Sequence, residues 1–261
     1  MVGTGWNIDL SGKAIIVTGG NRGIGRAIAE QAAQAGAHVA IVYHSSPDAP
    51  QVADKIAEDY NVRSKAYQAD TSDQKKMHEI VKQVYDDLGP VGGIVCNAGR
   101  AAQKPALEAT REDFDACFET NVWGAFVSAQ ACAALWKEHG YQNGKVVIVS
   151  SISGSIANKG SQQCFYNASK GAANMLAKCL AMEWADMGIN VNCINPGYVE
   201  TDMTAGFLKD EDKKAEKMKD VPMGRPSQPE EQAGMAILLL SDRSSYITGS
   251  TTMIDGGLTI W

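Results

Sequence analysis

The run Ala14-Ile15-Ile16-Val17-Thr18 passes directly into the turn Thr18-Gly19-Gly20-Asn21-Arg22-Gly23-Ile24-Gly25. An alanine-rich stretch of helical period, residues 25–36, follows without a linker, and a second apolar run, His38 to Tyr43 (HVAIVY), comes next. Strand, glycine turn, helix and strand make a βαβ unit, whose strands must pair in parallel because a crossover helix joins them. Glycine allows the backbone to approach a ligand closely, and the free N–H groups at the start of the following helix attract a phosphate. A cluster of glycines alone could be no more than a tight turn. Placed after the first strand of a βαβ unit, it predicts a nucleotide cradle formed by Gly19, Asn21, Arg22, Gly23, Ile24 and Gly25.

The same rhythm continues along the chain. Further strands are expected at 64–68, 93–96, 145–150, 190–195 and 252–254, separated by helical stretches or longer connections. This predicts an α/β fold with one doubly wound, seven-stranded parallel sheet of Rossmann type. No linker, repeat or low-complexity segment interrupts the 261 residues, so the reading is a single domain, 1–261. The charged run 209–220 (KDEDKKAEKMKD) has helical spacing and reads as a solvated helix face or as part of a substrate lid over residues 203–225.

Composition narrows the function classes. A formal net charge of −6 disfavours nucleic acid and anionic membrane as partners and favours a small soluble substrate. The six cysteines are scattered without a C-x-x-C pair, and the four histidines lack ligand spacing, so neither a disulfide framework nor a metal site is expected. Residues 1–10 lack an apolar signal core, and no apolar run approaches the ~20 residues of a membrane-spanning helix, which points to the cytoplasm.

The second strand ends in Tyr43-His44-Ser45-Ser46, with no carboxylate before Asp48. A carboxylate at this strand end would accept the adenosine ribose hydroxyls of NAD; without one, a 2′-phosphate meets no like charge. Arg22 and the Ser45 and Ser46 hydroxyls are suited to bind that phosphate, so the expected cofactor is NADP(H).

Tyr166 and Lys170 stand four apart in a helical segment, which puts phenol and ammonium on one face. A cation near a phenol favours the phenolate and makes the tyrosine a usable general acid and base; on an arbitrary helix the pair would be mere packing. Two more segments accompany it: Asn97-Ala98-Gly99 and Pro196-Gly197-Tyr198-Val199-Glu200-Thr201. Together with the glycine turn they resemble the short-chain dehydrogenase/reductase family over nearly the whole chain. The resemblance implies metal-free interconversion of a ketone and a secondary alcohol, with Tyr166 as acid and base and Lys170 also contacting the nicotinamide ribose. It implies a serine that donates to the substrate oxygen. The Ser-x-x-Gly register selects Ser151, whereas the usual spacing to the tyrosine would select Ser153.

Asn121 matches the family asparagine that holds a water near the lysine. Asp70, with Thr71, matches the acid at the adenine edge, and Asn97, Ala98 and Gly99 the adenosine ribose side. Pro196, Gly197, Val199 and Thr201 match the carboxamide side. A homotetramer is common in the family, and the apolar tail ending in Ile260-Trp261 suits an interface.

Several framework segments are similar to those of fungal NADP-dependent mannitol 2-dehydrogenases and related ketose reductases: the long Ser151-to-Tyr166 connection, Phe165-Tyr166-Asn167, Glu183-Trp184-Ala185, Leu238-Leu239-Leu240-Ser241-Asp242 and the terminal Trp261. This implies a ketose or polyol substrate of the fructose/mannitol type, with Asn158, Gln162, Gln163 and Tyr198 as hydroxyl partners. A pocket lined by Met203, Phe207 and Met223 would instead suit a broad carbonyl or 3-oxoacyl reductase. A catalytically silent nucleotide-binding regulator is the reading from another class.

Overall fold

The computed structural model describes residues 7–261. Most of the N-terminal stretch read for a signal core lies outside them. Seven strands form one sheet: β1 Ala14–Thr18, β2 His38–Tyr43, β3 Ser64–Gln68, β4 Val91–Cys96, β5 Lys145–Val149, β6 Asn190–Pro196 and β7 Thr251–Ile254. The helices are α1 Gly23–Gln34, α2 Ala49–Tyr60, α3 Gln74–Leu88, α4 Arg111–Phe118, α5 Ala125–Glu138, α6 Cys164–Glu183, α7 Ala205–Leu208, α8 Glu211–Met218 and α9 Pro229–Leu240. All neighbouring strands are parallel, in the order β3-β2-β1-β4-β5-β6-β7. Helices α1, α2 and α9 bury their apolar faces on one side of the sheet and α3, α5 and α6 on the other. The central strands are buried along their length, which is why they read as continuous apolar runs rather than as alternation.

The boundaries differ from expectation where glycine intervenes. β4 starts at Val91 rather than at 93, because Gly92 and Gly93 are strand residues. A Cβ on Gly93 would stand 2.7 Å from the Leu240 side chain, so the glycine permits close helix packing instead of breaking the strand. α1 begins at Gly23, inside the glycine turn, and stops at Gln34 rather than near 36. Between α4 and α5 the chain makes a π-helical turn, Glu119–Gly124, with Asn121 inside it.

A third, smaller apolar cluster joins three distant segments: Ile152 after β5, Met218 and Val221 at the end of α8, and Leu258 in the tail. The segment read as a lid is thereby packed on the residue next to Ser151. Among the described residues, no helix is long and apolar enough to cross a membrane.

Candidate active site

The strand order reverses between β1 and β4, so the loops leaving their carboxyl ends diverge and open a crevice. The glycine turn is braced from the β4 side. Asn97 Nδ2 donates to the carbonyls of Thr18 at 2.9 Å and Gly19 at 3.2 Å, while the N–H groups of Asn97 and Ala98 both donate to Thr18 Oγ1 at 3.0 Å. The Asn97 side chain is therefore spent on holding the turn. A Cβ on Gly25 would overlap the Gly19 carbonyl and the Asn97 amide, and Gly23 has a φ of 53°. Asn21 is buried with its Nδ2 unpartnered, and no side chain caps the first turn of α1. Unspent donors over a cradle too narrow for side chains suit a dinucleotide pyrophosphate. Ile24 faces the core.

At the end of β2 the His44 and Ser45 side chains are exposed and Tyr43 partly so. His44 Nε2 is 3.8 Å from Asp70 Oδ2. Asp70 also accepts from the Ser72 N–H and hydroxyl, bonds that hold its carboxyl below the usual range. Thr71 turns toward the π turn, where a Cβ on Gly124 would stand 2.7 Å from its hydroxyl. Arg22 is not drawn to His44 or Ser45: its guanidinium lies 3.6 Å from Asp202 beyond β6.

The candidate serine, tyrosine and lysine come together where β5 meets α6. Ser151 Oγ accepts from the Ser153 N–H at 3.1 Å, and its hydroxyl lies on the phenol side of Tyr166, where it favours the phenolate. Lys170 Nζ is buried, donates to the Val149 carbonyl at 2.9 Å and sits 5.7 Å from the centre of the Tyr166 ring. Ser150 Oγ donates to the Lys170 carbonyl at 2.9 Å, tying the strand end to the helix. Burial lowers the Lys170 ammonium to about 8 and raises the Tyr166 phenol, against which the Ser151 hydroxyl works. Desolvation, which disfavours phenolate and ammonium alike, is the largest influence on both groups.

Asn121 is buried, and its side chain is fully engaged. Oδ1 accepts from Arg100 N–H at 2.8 Å, and Nδ2 donates to the Arg100 carbonyl and to Ser169 Oγ, both at 2.9 Å. Gly99 lies between Asn121 and Lys170, with Cβ space only 3.4 Å from Oδ1 and 3.6 Å from Nζ. After β6, the Gly197 N–H donates to the Ile254 carbonyl at 3.0 Å, and Val199 is buried and bridges to Ser227. Thr204 Oγ1 donates to the Val199 carbonyl and Thr201 N–H donates to Thr204 Oγ1, while the Thr201 methyl borders Gly23. The segment from Pro196 to Thr201 therefore returns to the glycine turn.

The sequence does not single out Thr18, Ser169 or the Val149 carbonyl, all of which act through other groups, and Ser150, a third serine competing with Ser151 and Ser153, also acts in this way. Asn195 was also passed over: it is fully buried in β6, and neither of its side-chain polar atoms has a partner. Its only signal was a polar residue closing an apolar strand. Among the described residues, no three His, Cys, Asp or Glu side chains gather as a metal site would require, and all six cysteines are free.

A narrow glycine cradle at the switch point of a parallel sheet, beside a buried serine and lysine and a partly buried tyrosine, suits a dinucleotide-dependent oxidoreductase. Residues 19–259 match the family model described as enoyl-(acyl carrier protein) reductase. The NADP-dependent mannitol dehydrogenase of Alternaria alternata is 38% identical, over 95% of this chain and 93% of its own length. The sorbose reductase of Candida albicans is also 38% identical, over 96% of this chain and 88% of its own. The crystal structure of the NADPH-dependent 3-quinuclidinone reductase of Rhodotorula rubra superimposes with a TM-score of 0.90 at 29% identity, covering 97% of this chain and 93% of that one. The chain belongs to the short-chain dehydrogenase/reductase family of oxidoreductases.

Proposed function

We propose that this enzyme is an NADP(H)-dependent reductase that interconverts a ketose and a polyol of the fructose/mannitol type. The observation that carries the reading is the contiguous set Ser151, Tyr166 and Lys170. Ser151 aligns the substrate oxygen, Tyr166 gives that oxygen a proton during reduction and takes it back during oxidation, and Lys170 supplies the positive charge that makes the exchange feasible. The bound nicotinamide supplies or accepts the hydride. Gly19, Asn21, Gly23, Ile24 and Gly25 would hold the pyrophosphate, and Arg22, His44 and Ser45 a 2′-phosphate. Asp70 and Thr71 would meet the adenine side, Asn97, Ala98 and Gly99 the ribose, and Pro196, Gly197, Val199 and Thr201 the carboxamide. Relatives named as an NADP-dependent mannitol dehydrogenase and a sorbose reductase support both the cofactor and the substrate class.

The same reading holds the chain to be one cytoplasmic domain with a lid over 203–225, working as a homotetramer. A broad carbonyl reductase is the second reading, favoured by the exposure of Met203 and Met223 within the lid segment. Initial rates with NADPH and NADH on fructose, sorbose, xylulose, an acetoacetyl ester and an aryl ketone decide between them. Preference for the aryl ketone or the ester over every ketose would displace the polyol reading.

A further inference from the structure

The wall beside Ser151 is built from amides, and their hydrogen bonds are not symmetric. Asn158 Oδ1 accepts from Gln163 Nε2 and from Asn167 Nδ2, each at 3.0 Å. Gln163 Nε2 donates a second bond, to Ser153 Oγ at 3.3 Å. The Ser153 N–H in turn donates to Ser151 Oγ. An amide has two N–H donors and one carbonyl acceptor. Both donors of Gln163 are spent within the protein, its Oε1 receives no bond, and the residue keeps partial exposure. Gln162 is more exposed and has no side-chain bond to this wall, whereas Gln163 is tied through Ser153 to Ser151, so its unbonded carbonyl oxygen is the acceptor that the wall itself holds in place.

We propose that Gln163 Oε1 accepts a hydrogen bond from a hydroxyl carried beside the reacting carbonyl, and that Asn158 is the positioning residue that aims it. The inference rests on the ketone-reductase reading and refines it. Two consecutive hydrogen bonds link Gln163 to Ser151, so a ligand whose carbonyl meets Ser151 brings its neighbouring carbon toward the Gln163 carbonyl. An acceptor with no spare donor selects O–H over O–CH3, because an ether leaves the carbonyl oxygen unpaired once water is expelled. The substrate class is therefore α-hydroxy ketones, including ketoses, rather than ketones in general.

The test compares reduction of hydroxyacetone and methoxyacetone by the purified enzyme with NADPH. The wild type is expected to favour the hydroxy ketone in kcat/KM by about tenfold to a hundredfold. Gln163→Leu should bring the ratio near one by losing the hydroxy ketone alone, with NADPH affinity unchanged. Asn158→Leu should raise KM for the hydroxy ketone and leave kcat nearly intact, while Asn158→Asp, which keeps the acceptor for Gln163, should restore KM. Equal efficiency on both ketones in the wild type, or equal losses on both in Gln163→Leu, overturns the proposal and leaves the reductase reading standing. No reduction of either ketone or of any ketose overturns both.

Discussion

Asn121 Nδ2 donates to Ser169 Oγ at 2.9 Å, joining the π turn to the residue of α6 that immediately precedes Lys170. The pair is 48 residues apart in sequence, and the same asparagine pairs with both backbone groups of Arg100. It thereby sets the loop after β4 against α6.

Asn121→Leu keeps the branched, four-heavy-atom shape and removes these bonds, leaving Arg100 N–H and carbonyl unpaired. The expected cost is about 2 kcal/mol or more in unfolding free energy, together with a fall in kcat of roughly tenfold. Ser169→Ala strands less, since Nδ2 keeps the Arg100 carbonyl, and should cost about 1 kcal/mol. Urea unfolding of both variants measures the difference; a Ser169→Ala loss as large as that of Asn121→Leu would place the weight on α6 instead of on the Arg100 loop.

Lys170 couples stability to activity with opposite signs. The folded protein releases its proton near 8, while an ordinary lysine keeps it to 10.5. Between those values the unfolded chain binds more protons, so the Lys170 contribution to stability rises with pH; below about 8 the cost of burying the ammonium is fully present. Lys170→Met is therefore expected to raise the melting temperature at pH 7, by the equivalent of about 1–2 kcal/mol, and to abolish turnover. The gain should shrink as pH approaches 10. A variant melting below the wild type at pH 7 would mean that the Val149 bond outweighs desolvation.

Tyr166→Phe removes one oxygen from a site whose other members stay bonded to the frame. Ketone reduction should fall by roughly two orders of magnitude or more, with NADPH affinity little changed. Stopped-flow hydride transfer and cofactor titration on one preparation separate the two effects, and near-wild-type turnover would remove Tyr166 from the chemistry.

The parallel sheet was legible because β1 and β2 are buried on both faces and read as unbroken β-branched runs. The Tyr166 and Lys170 pairing was legible for a local reason, the spacing of one helical turn. What escaped depends on distance along the chain. The π turn leaves no trace in apolar period, the Asn121 bond to Ser169 spans two elements, and the raised phenol reflects burial that no local segment encodes. The strand expected from Gly93 in fact starts at Val91, and Lys13 and Leu240 occupy the space that side chains at Gly92 and Gly93 would need.

Cofactor choice should respond to charge at the β2 end. His44→Asp would set a second carboxylate beside Asp70 and facing the 2′-phosphate; NADPH should weaken by tenfold or more while NADH changes little. Asp202→Asn should act in the other direction, because it frees Arg22 from its nearest carboxylate. Both side chains of that pair are exposed, so the gain for NADPH is limited to about two- to fivefold. Fluorescence titration of each form with both nucleotides reads the ratio, and a wild type that binds NADH more tightly than NADPH would undo the assignment.

The tail divides into a packed part and an exposed part. Leu258 is buried within its own subunit against the cluster of Ile152, Met218 and Val221, and Asp255 accepts hydrogen bonds from Gly257 and from the backbone and hydroxyl of Thr259. Beyond this knot, Ile260 and Trp261 remain 72% and 78% exposed in the isolated chain. Apolar surface of that size at ~25 cal/mol per Å2 is a strong incentive for burial against another subunit. Removing Ile260 and Trp261 should therefore leave the unfolding of the separated subunit unchanged and shift a tetramer toward smaller species in sedimentation equilibrium. Leu258→Ala should do the reverse, costing about 1–3 kcal/mol of stability and loosening α8 from Ile152, with KM for the ketone rising more than the assembly changes. A wild type that sediments as a monomer excludes the interface, and the exposed pair would then be an unpartnered surface whose deletion has no effect on either measurement.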